Sequence, residues 1–325
     1  MQFYRTTTTL AKNDAFTPVK RNPAPTYKTY LELSKPKLST LVVLTTMSSY
    51  ALSPFPAASL PTLFFLTSGT WLCCASANAY NMWLEPPFDS QMTRTRNRPL
   101  VRGALHPNQA FSFASAAGLL GSTALFLGVN PVCSALGLAN IVLYAGIYTP
   151  LKRVSITNTW VGAIVGAIPP LMGWAAATPY PILCSENLGG LYLALLLYAW
   201  QFPHFNSLAW YIRSEYARAG YVMTSITNPG MNARVSLRYS VAMFPLCYGL
   251  VHVGVCDHWF LYDSALLNAY MSYQAFVFWR CRGTNKEKDK KAKKLFFSSL
   301  LYLPGVLLLA MLHKTGLWND LVQQA

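Results

Sequence analysis

Residues 58–84 read ASLPTLFFLTSGTWLCCASANAYNMWL, and residues 85–102 continue EPPFDSQMTRTRNRPLVR. The first stretch holds no Asp, Glu, Lys or Arg. A helix needs about 20 predominantly apolar residues to cross the hydrocarbon core of a bilayer, and this run supplies them. The second stretch turns at once to carboxylates and arginines, so the chain leaves the apolar medium within a few residues. The same alternation recurs along the whole sequence. It gives nine candidate spans, at 37–55, 58–84, 109–128, 131–148, 159–178, 188–212, 239–256, 261–279 and 295–313. The first is the most polar, because Ser39, Thr40, Thr45, Thr46, Ser48 and Ser49 dilute its Leu and Val. Of 325 residues, 53% are hydrophobic and 11% charged, against roughly 25% charged in soluble domains. That is too little charge to coat a soluble particle. The expected fold class is therefore all-α, a polytopic membrane protein with nine transmembrane helices.

The basic residues test this reading independently, because Lys and Arg concentrate in short loops on the side that is not translocated. They fall before the first span and after the second, fourth, sixth and eighth. Of the 26 Lys and Arg, only Lys314 lies on the other side. The pattern predicts an N-terminus inside and a C-terminus outside. The net charge of +15 is spread over these loops and not gathered on one domain, which excludes nucleic acid as the partner. It points to membrane lipid, with residues 286–294 facing anionic headgroups. Residues 1–29 carry Arg5, Lys12, Lys20, Arg21 and Lys28 against one acid, Asp14, and a threonine run at 6–9. Such a leader resembles a mitochondrial transit peptide, and a plain disordered tail has the same composition. The expected organisation is a leader over 1–29 and a membrane domain over 30–325. The seven cysteines are odd in number and lack a C-x-x-C pair, so they read as packing residues.

Three polar segments sit where the even-numbered spans end on the basic side. In the first, Asn81, Glu85 and Asp89 are spaced by four, which would place them on one helical face. Pro86 and Pro87 interrupt that helix, since the residue before a proline avoids the helical region. Asp89 is thus expected past the helix end, reached through a bend. Two carboxylates and an amide are hard oxygen donors of the kind Mg²⁺ takes while keeping waters and phosphates. Arg94, Arg98 and their neighbours could then fork onto the same phosphates. Ordinary surface ion pairs explain these residues equally well. The second segment, 148–153, ends in Lys152 and Arg153, which either add cationic contacts to a diphosphate or snorkel to the interface. The glycines that follow, Gly162 and Gly166, permit close helix packing. The third segment runs Trp200-Gln-Phe-Pro-His204-Phe205-Asn206 and leads to Arg213, Glu215 and Tyr216. His204 inside a span is open to iron ligation, proton handling or a hydrogen bond to a neighbouring span.

Taken together, these segments resemble the intramembrane UbiA-type aromatic prenyltransferases and, within them, the haem O synthases of mitochondria. The resemblance rests on Asn81, Glu85, Asp89, Met92, Arg94, Thr95, Arg98, Pro99 and Leu100, on 148–153, on 200–205 and on 268–272, and it covers roughly 30–313. It implies a UbiA-type helical bundle that transfers a farnesyl group from farnesyl diphosphate to a vinyl group of haem b, making haem O for haem A synthesis and cytochrome c oxidase assembly. It also implies Mg²⁺ at Asn81, Glu85 and Asp89, with Arg94 and Arg98 stabilising the diphosphate. Lys152, Arg153, Trp200, His204, Phe205, Arg213, Glu215 and Tyr216 would bind substrate. The site and N-terminus would then lie on the matrix side of the mitochondrial inner membrane, and a downstream haem A synthesis enzyme is an implied partner. One departure stands out. Where the wider superfamily has a second Asp-x3-Asp, this chain has Ser214-Glu215-Tyr216, so Glu215 is the sole acid there. Two rival readings are a prenyltransferase for a quinone precursor and a haem carrier without catalysis. A transporter fits less well, because no inverted repeat is visible.

Overall fold

Each predicted span corresponds to a helix in the computed structural model of the protein, which describes residues 26–55, 59–182 and 184–317. Among the described residues nine helices have 17 residues or more: α1 Pro36–Leu52, α2 Leu60–Leu84, α3 Pro107–Gly128, α4 Pro131–Leu151, α5 Asn158–Ala177, α6 Leu188–Tyr211, α7 Pro229–His252, α8 Trp259–Arg280 and α9 Asn285–Leu312. No strand occurs among the described residues, only an isolated bridge between Cys256 and Lys314. Five helices, α2 to α5 and α9, are long and apolar enough to cross a membrane. The other four carry Trp, Tyr, Ser, Asn and Gln that lower their mean hydropathy, and α1 has only 17 residues. Most of the leader lies outside the described residues. Its expected boundary at residue 29 falls inside a short helix, Tyr27–Leu33.

Local chemistry sets the helix ends. Pro36, Pro61, Pro107, Pro131 and Pro229 occupy first-turn positions of α1, α2, α3, α4 and α7, where a missing N–H costs nothing. Ser59, Asn130 and Asn228 cap α2, α4 and α7 with side-chain oxygens. Two helices start earlier than the apolar pattern predicts. α7 begins at Pro229 and not near 239. α9 begins at Asn285, so residues 286–294 are helical and do not form a loop. The cause is a capping box: Glu287 N–H donates to Thr284 Oγ1 (3.3 Å) while Thr284 N–H donates to Glu287 Oε2 (3.0 Å). At 1.5 Å per residue the 28 residues of α9 extend about 42 Å, longer than a hydrocarbon core, so its basic first turns stand outside the apolar layer.

Small residues bring the helices together. A Cβ on Gly121 of α3 would stand 2.9 Å from Cys73 N and 2.9 Å from Gly69 O of α2, and one on Gly173 of α5 would strike Thr46 O of α1. Gly162 and Gly166 leave room for the Tyr148 ring and the Gln201 side chain, so their packing role holds. One core, including Leu66, Cys73, Leu125, Cys133, Ile168 and Met172, fills the α1–α5 half, and a second, including Leu196, Met243, Phe260, Phe278 and Val306, fills the α6–α9 half. Contacts of α5 with α6 and of α1 with α9 join the halves. All seven cysteines are free thiols, four of them buried, as expected of packing residues. At the end opposite the basic loops, Lys314 Nζ donates to Ala51 O (2.7 Å) and Ser53 O (2.9 Å), capping α1 with a positive charge. Among the described residues Lys314 is the one Lys or Arg at this end.

Candidate active site

The other end of the bundle gathers the polar segments. α2 stops at Leu84, and Pro86 and Pro87 open a separate turn, Pro86–Asp89. Asp89 N–H still donates to Glu85 O (2.9 Å) across the break, so Glu85 and Asp89 stay on one side. Both carboxylates and Asn81 are buried. Asn81 Nδ2 donates to Glu85 Oε2 (2.8 Å) and to Thr149 Oγ1 at the end of α4 (3.0 Å). Its Oδ1 accepts from Lys35 Nζ (3.3 Å). Lys152 Nζ lies 2.5 Å from Glu85 Oε1 as an ion pair. Arg98 Nη1 lies 2.5 Å from Asp89 Oδ2 and 4.0 Å from Glu85 Oε2, so one guanidinium nitrogen serves both acids. Thr95 Oγ1 donates to Asp89 O (2.9 Å), fixing the turn that presents Arg98.

Lys35, Lys152 and Arg98 thus face two carboxylates, which leaves a surplus of positive charge in a place with little water. Burial, followed by the charges of Arg98 and Lys152, holds the Lys35 ammonium well below the usual lysine range. Burial also lowers Lys152, opposed by Glu85, and raises Asp89, opposed by Arg98. Aromatic faces line the cluster. Lys152 Nζ is 5.0 Å from the Tyr148 ring centre and 5.5 Å from that of Tyr221, and the Arg153 guanidinium lies 4.8 Å from that of Phe88. Two carboxylates and an amide oxygen are donors of the kind a hard cation takes, and each is engaged here: Asn81 turns its Nδ2 to Glu85 and its Oδ1 to Lys35, while the carboxylates pair with Lys152 and Arg98. No group of three or more His, Cys, Asp or Glu that could hold a metal ion occurs among the described residues, so Glu85 and Asp89 with Asn81 make no closed metal cage.

The predicted residues divide by helix face. Asn81, Glu85, Asp89, Arg98 and Lys152 are brought together, and Arg153 stands beside them on Phe88. Glu215 Oε2 accepts from Arg94 N–H (3.4 Å), so the turn after α6 touches the loop after α2. Tyr216 and Phe205 pack in one apolar cluster with Phe88, Met92 and Tyr221. Trp200, His204 and Arg213 turn instead toward α9. Trp200 Nε1 donates to Ser299 O (2.8 Å), His204 Nδ1 pairs with Ser299 Oγ (2.9 Å), and Arg213 Nη1 donates to Asp289 Oδ1 (2.6 Å). For His204 the structure realises the hydrogen bond to a neighbouring helix. Four participants carry no sequence signal of their own: Lys35, Thr149, Tyr148 and Tyr221. Only the place of 148 and 149 inside a singled-out segment hints at two of them.

A helical bundle with a buried cluster of acids and cations at one end defines an intramembrane protein with its polar residues gathered at that end. More particularly, the chain belongs to the UbiA prenyltransferase family, whose sequence pattern matches residues 42–301. It is 56% identical over 299 residues to a mitochondrial protoheme IX farnesyltransferase of Yarrowia lipolytica, covering 89% of this chain and 62% of that one. The like-named proteins of Debaryomyces hansenii (54% over 304 residues, 90% and 64%) and Saccharomyces cerevisiae (51% over 306 residues, 89% and 65%) are similar throughout the same region. The chain thus spans less than two thirds of the length of these relatives. Among solved structures it resembles a digeranylgeranylglyceryl phosphate synthase (TM-score 0.74, 16% identity, 88% of this chain and 97% of that one). It also resembles a UbiA homologue from Archaeoglobus fulgidus bound to GPP and Mg²⁺ (TM-score 0.61, 13% identity, 87% and 99%). At these identities the likeness is one of fold.

Proposed function

We propose that this chain transfers a farnesyl group from farnesyl diphosphate to a vinyl group of haem b, giving haem O. We place it in the mitochondrial inner membrane, with all nine helices crossing and the acid cluster on the matrix side. The observation that carries the reading is the buried cluster that joins the loop after α2 to the end of α4, in a chain more than half identical to protoheme IX farnesyltransferases.

In this reading Arg98 and Lys152 exchange their carboxylate partners for diphosphate oxygens, with Arg94 at the rim. Electrostatic stabilisation aimed at the departing charge is the largest contribution such a site makes. Freed of those partners, Glu85 and Asp89, with the Asn81 amide oxygen, would hold Mg²⁺, which supplies Lewis-acid neutralisation of the diphosphate. Phe88, Tyr148, Phe205 and Tyr221 wall the site, keep water from the allylic cation and offer it their faces. The vinyl π electrons form the new carbon–carbon bond as the carbon–oxygen bond to diphosphate breaks. Water then adds to the cation beside the porphyrin and loses a proton. Glu215 contributes through its hold on the Arg94 backbone, and the product passes to a haem A synthesis enzyme.

The test is mass spectrometry of haem after incubating purified protein with haem b, farnesyl diphosphate and Mg²⁺. Wild type yields a farnesylated, hydrated haem, and Asp89→Asn lowers the yield by about two orders of magnitude, the scale of one lost electrostatic contact. Haem bound without product would replace the enzyme by a carrier.

A further inference from the structure

Lys35 stands between the helix Tyr27–Leu33 and α1, outside every segment in which the sequence pattern places site residues. Among the described residues it is the one non-glycine residue with a positive φ, 46° with ψ 64°, in the left-handed region. A bulky side chain there costs on the order of 1–2 kcal/mol and persists where the surroundings over-determine it. Here α2 supplies the surroundings. Asn78 Nδ2 donates to Ser34 O (3.4 Å) and to Ser39 Oγ (3.4 Å), and Ser39 Oγ donates to Ser34 O (2.7 Å). Asn78, Ser34 and Ser39 are buried. One helical turn further along α2, Asn81 Oδ1 receives the Lys35 ammonium (3.3 Å). The two asparagines therefore grip the same kink, Asn78 by its backbone and Asn81 by its side chain, and the outcome is a third cation set over two carboxylates.

From this we infer that Lys35 is a further binding residue for the anionic leaving group, a direct ligand to diphosphate oxygens, and that Asn78 is the positioning residue that aims it. This rests on the diphosphate site proposed above. The strained backbone has a clear purpose on this account. Released to the extended region that a residue before proline otherwise prefers, the lysine would leave Asn81, and the surplus positive charge that calls for an anion would be gone.

The experiment is calorimetric titration of the detergent-purified full chain with pyrophosphate in Mg²⁺, alongside thermal unfolding. Lys35→Met weakens binding about tenfold or more, the value of one charge-assisted hydrogen bond. Lys35→Arg stays within a few-fold of wild type. Lys35→Gly relieves the left-handed strain, so it serves as the folded control for Lys35→Met, and it weakens binding as much. Asn78→Ala weakens binding with a smaller change than Lys35→Met. Wild-type affinity in both Lys35→Met and Lys35→Gly overturns the inference while leaving the diphosphate site standing. Absence of pyrophosphate binding in the wild type overturns both.

Discussion

Asn81 serves three partners with one amide: the Glu85 carboxylate, the Thr149 hydroxyl and the Lys35 ammonium. Asn81→Leu leaves all three buried or half-buried without that partner. Glu85 keeps Lys152 and the Thr149 hydroxyl keeps Tyr144 O, so each lost hydrogen bond costs about 0.5–1.5 kcal/mol, and the variant should lose a few degrees of melting temperature as well as pyrophosphate binding. An unchanged melting curve would mean that water replaces the amide at no cost. Asn81→Asp is the informative companion, because it keeps the shape and adds a charge beside two existing carboxylates. The four-residue spacing of Asn81, Glu85 and Asp89 is legible in the amino-acid sequence, and so is the bend at Pro86. The direction of His204 and Arg213 is not. α6 is apolar on every side, so its pattern does not say which face looks at the acids. Residues 200 and 204, one turn apart, meet α9, whereas 205 and 209 meet the site. Lys35 is hidden for another reason, since its role depends on a backbone angle that no spacing reveals.

At the scale of the element, the glycine contacts make a sharp contrast. Gly121→Leu would drive a side chain into the α2 backbone at Cys73 and Gly69. It should abolish recovery of folded protein or lower its melting temperature by several degrees, as overpacking of about 1–3 kcal/mol does. Gly146→Ala meets open space and should be neutral or stabilising, by up to about 1 kcal/mol. Equal effects at both positions would contradict the close α2–α3 approach. The α9 cap offers a second measurement. Thr284→Ala should cost about 1 kcal/mol of local helix stability, seen as faster amide exchange over 285–294 with the apolar part of α9 unaffected. The order of the helices follows from hydropathy and the charged loops alone. The starts of α7 and α9 do not, because both begin in polar residues that a cap makes helical and an apolar scan discards.

For the whole molecule, the end opposite the site holds a pH-sensitive tie. His313 Nδ1 lies 3.0 Å from Asp257 Oδ1, and its Nε2 lies 2.9 Å from Asp263 Oδ2. Carboxylates only accept, so both ring nitrogens carry hydrogen when both contacts form. Burial opposes that proton, but the hydrogen bonds to Asp263 and Asp257 outweigh it and raise the His313 pKa. Asp257, despite some burial, is lowered by His313. A raised histidine stabilises fully below its unfolded value near about 6.5 and loses that contribution as pH rises through the folded value. The lowered aspartate stabilises above its unfolded value and loses that as pH falls. The melting temperature of the wild type should therefore decline from about pH 6 toward about pH 9 more steeply than that of His313→Gln. Parallel curves would show that the tie adds nothing to the fold.

Lys314 has a consequence in time. The carbonyls it caps belong to α1 and the residue just past it, and α1 precedes the other eight long helices in the chain, while Lys314 follows all nine. Until α9 and Lys314 have been made, the far end of α1 lacks this cation at its carbonyls. These nine helices can form in order, but this latch closes only when the residue after α9 reaches the end of α1, so a chain stalled before Lys314 leaves that end of α1 uncapped.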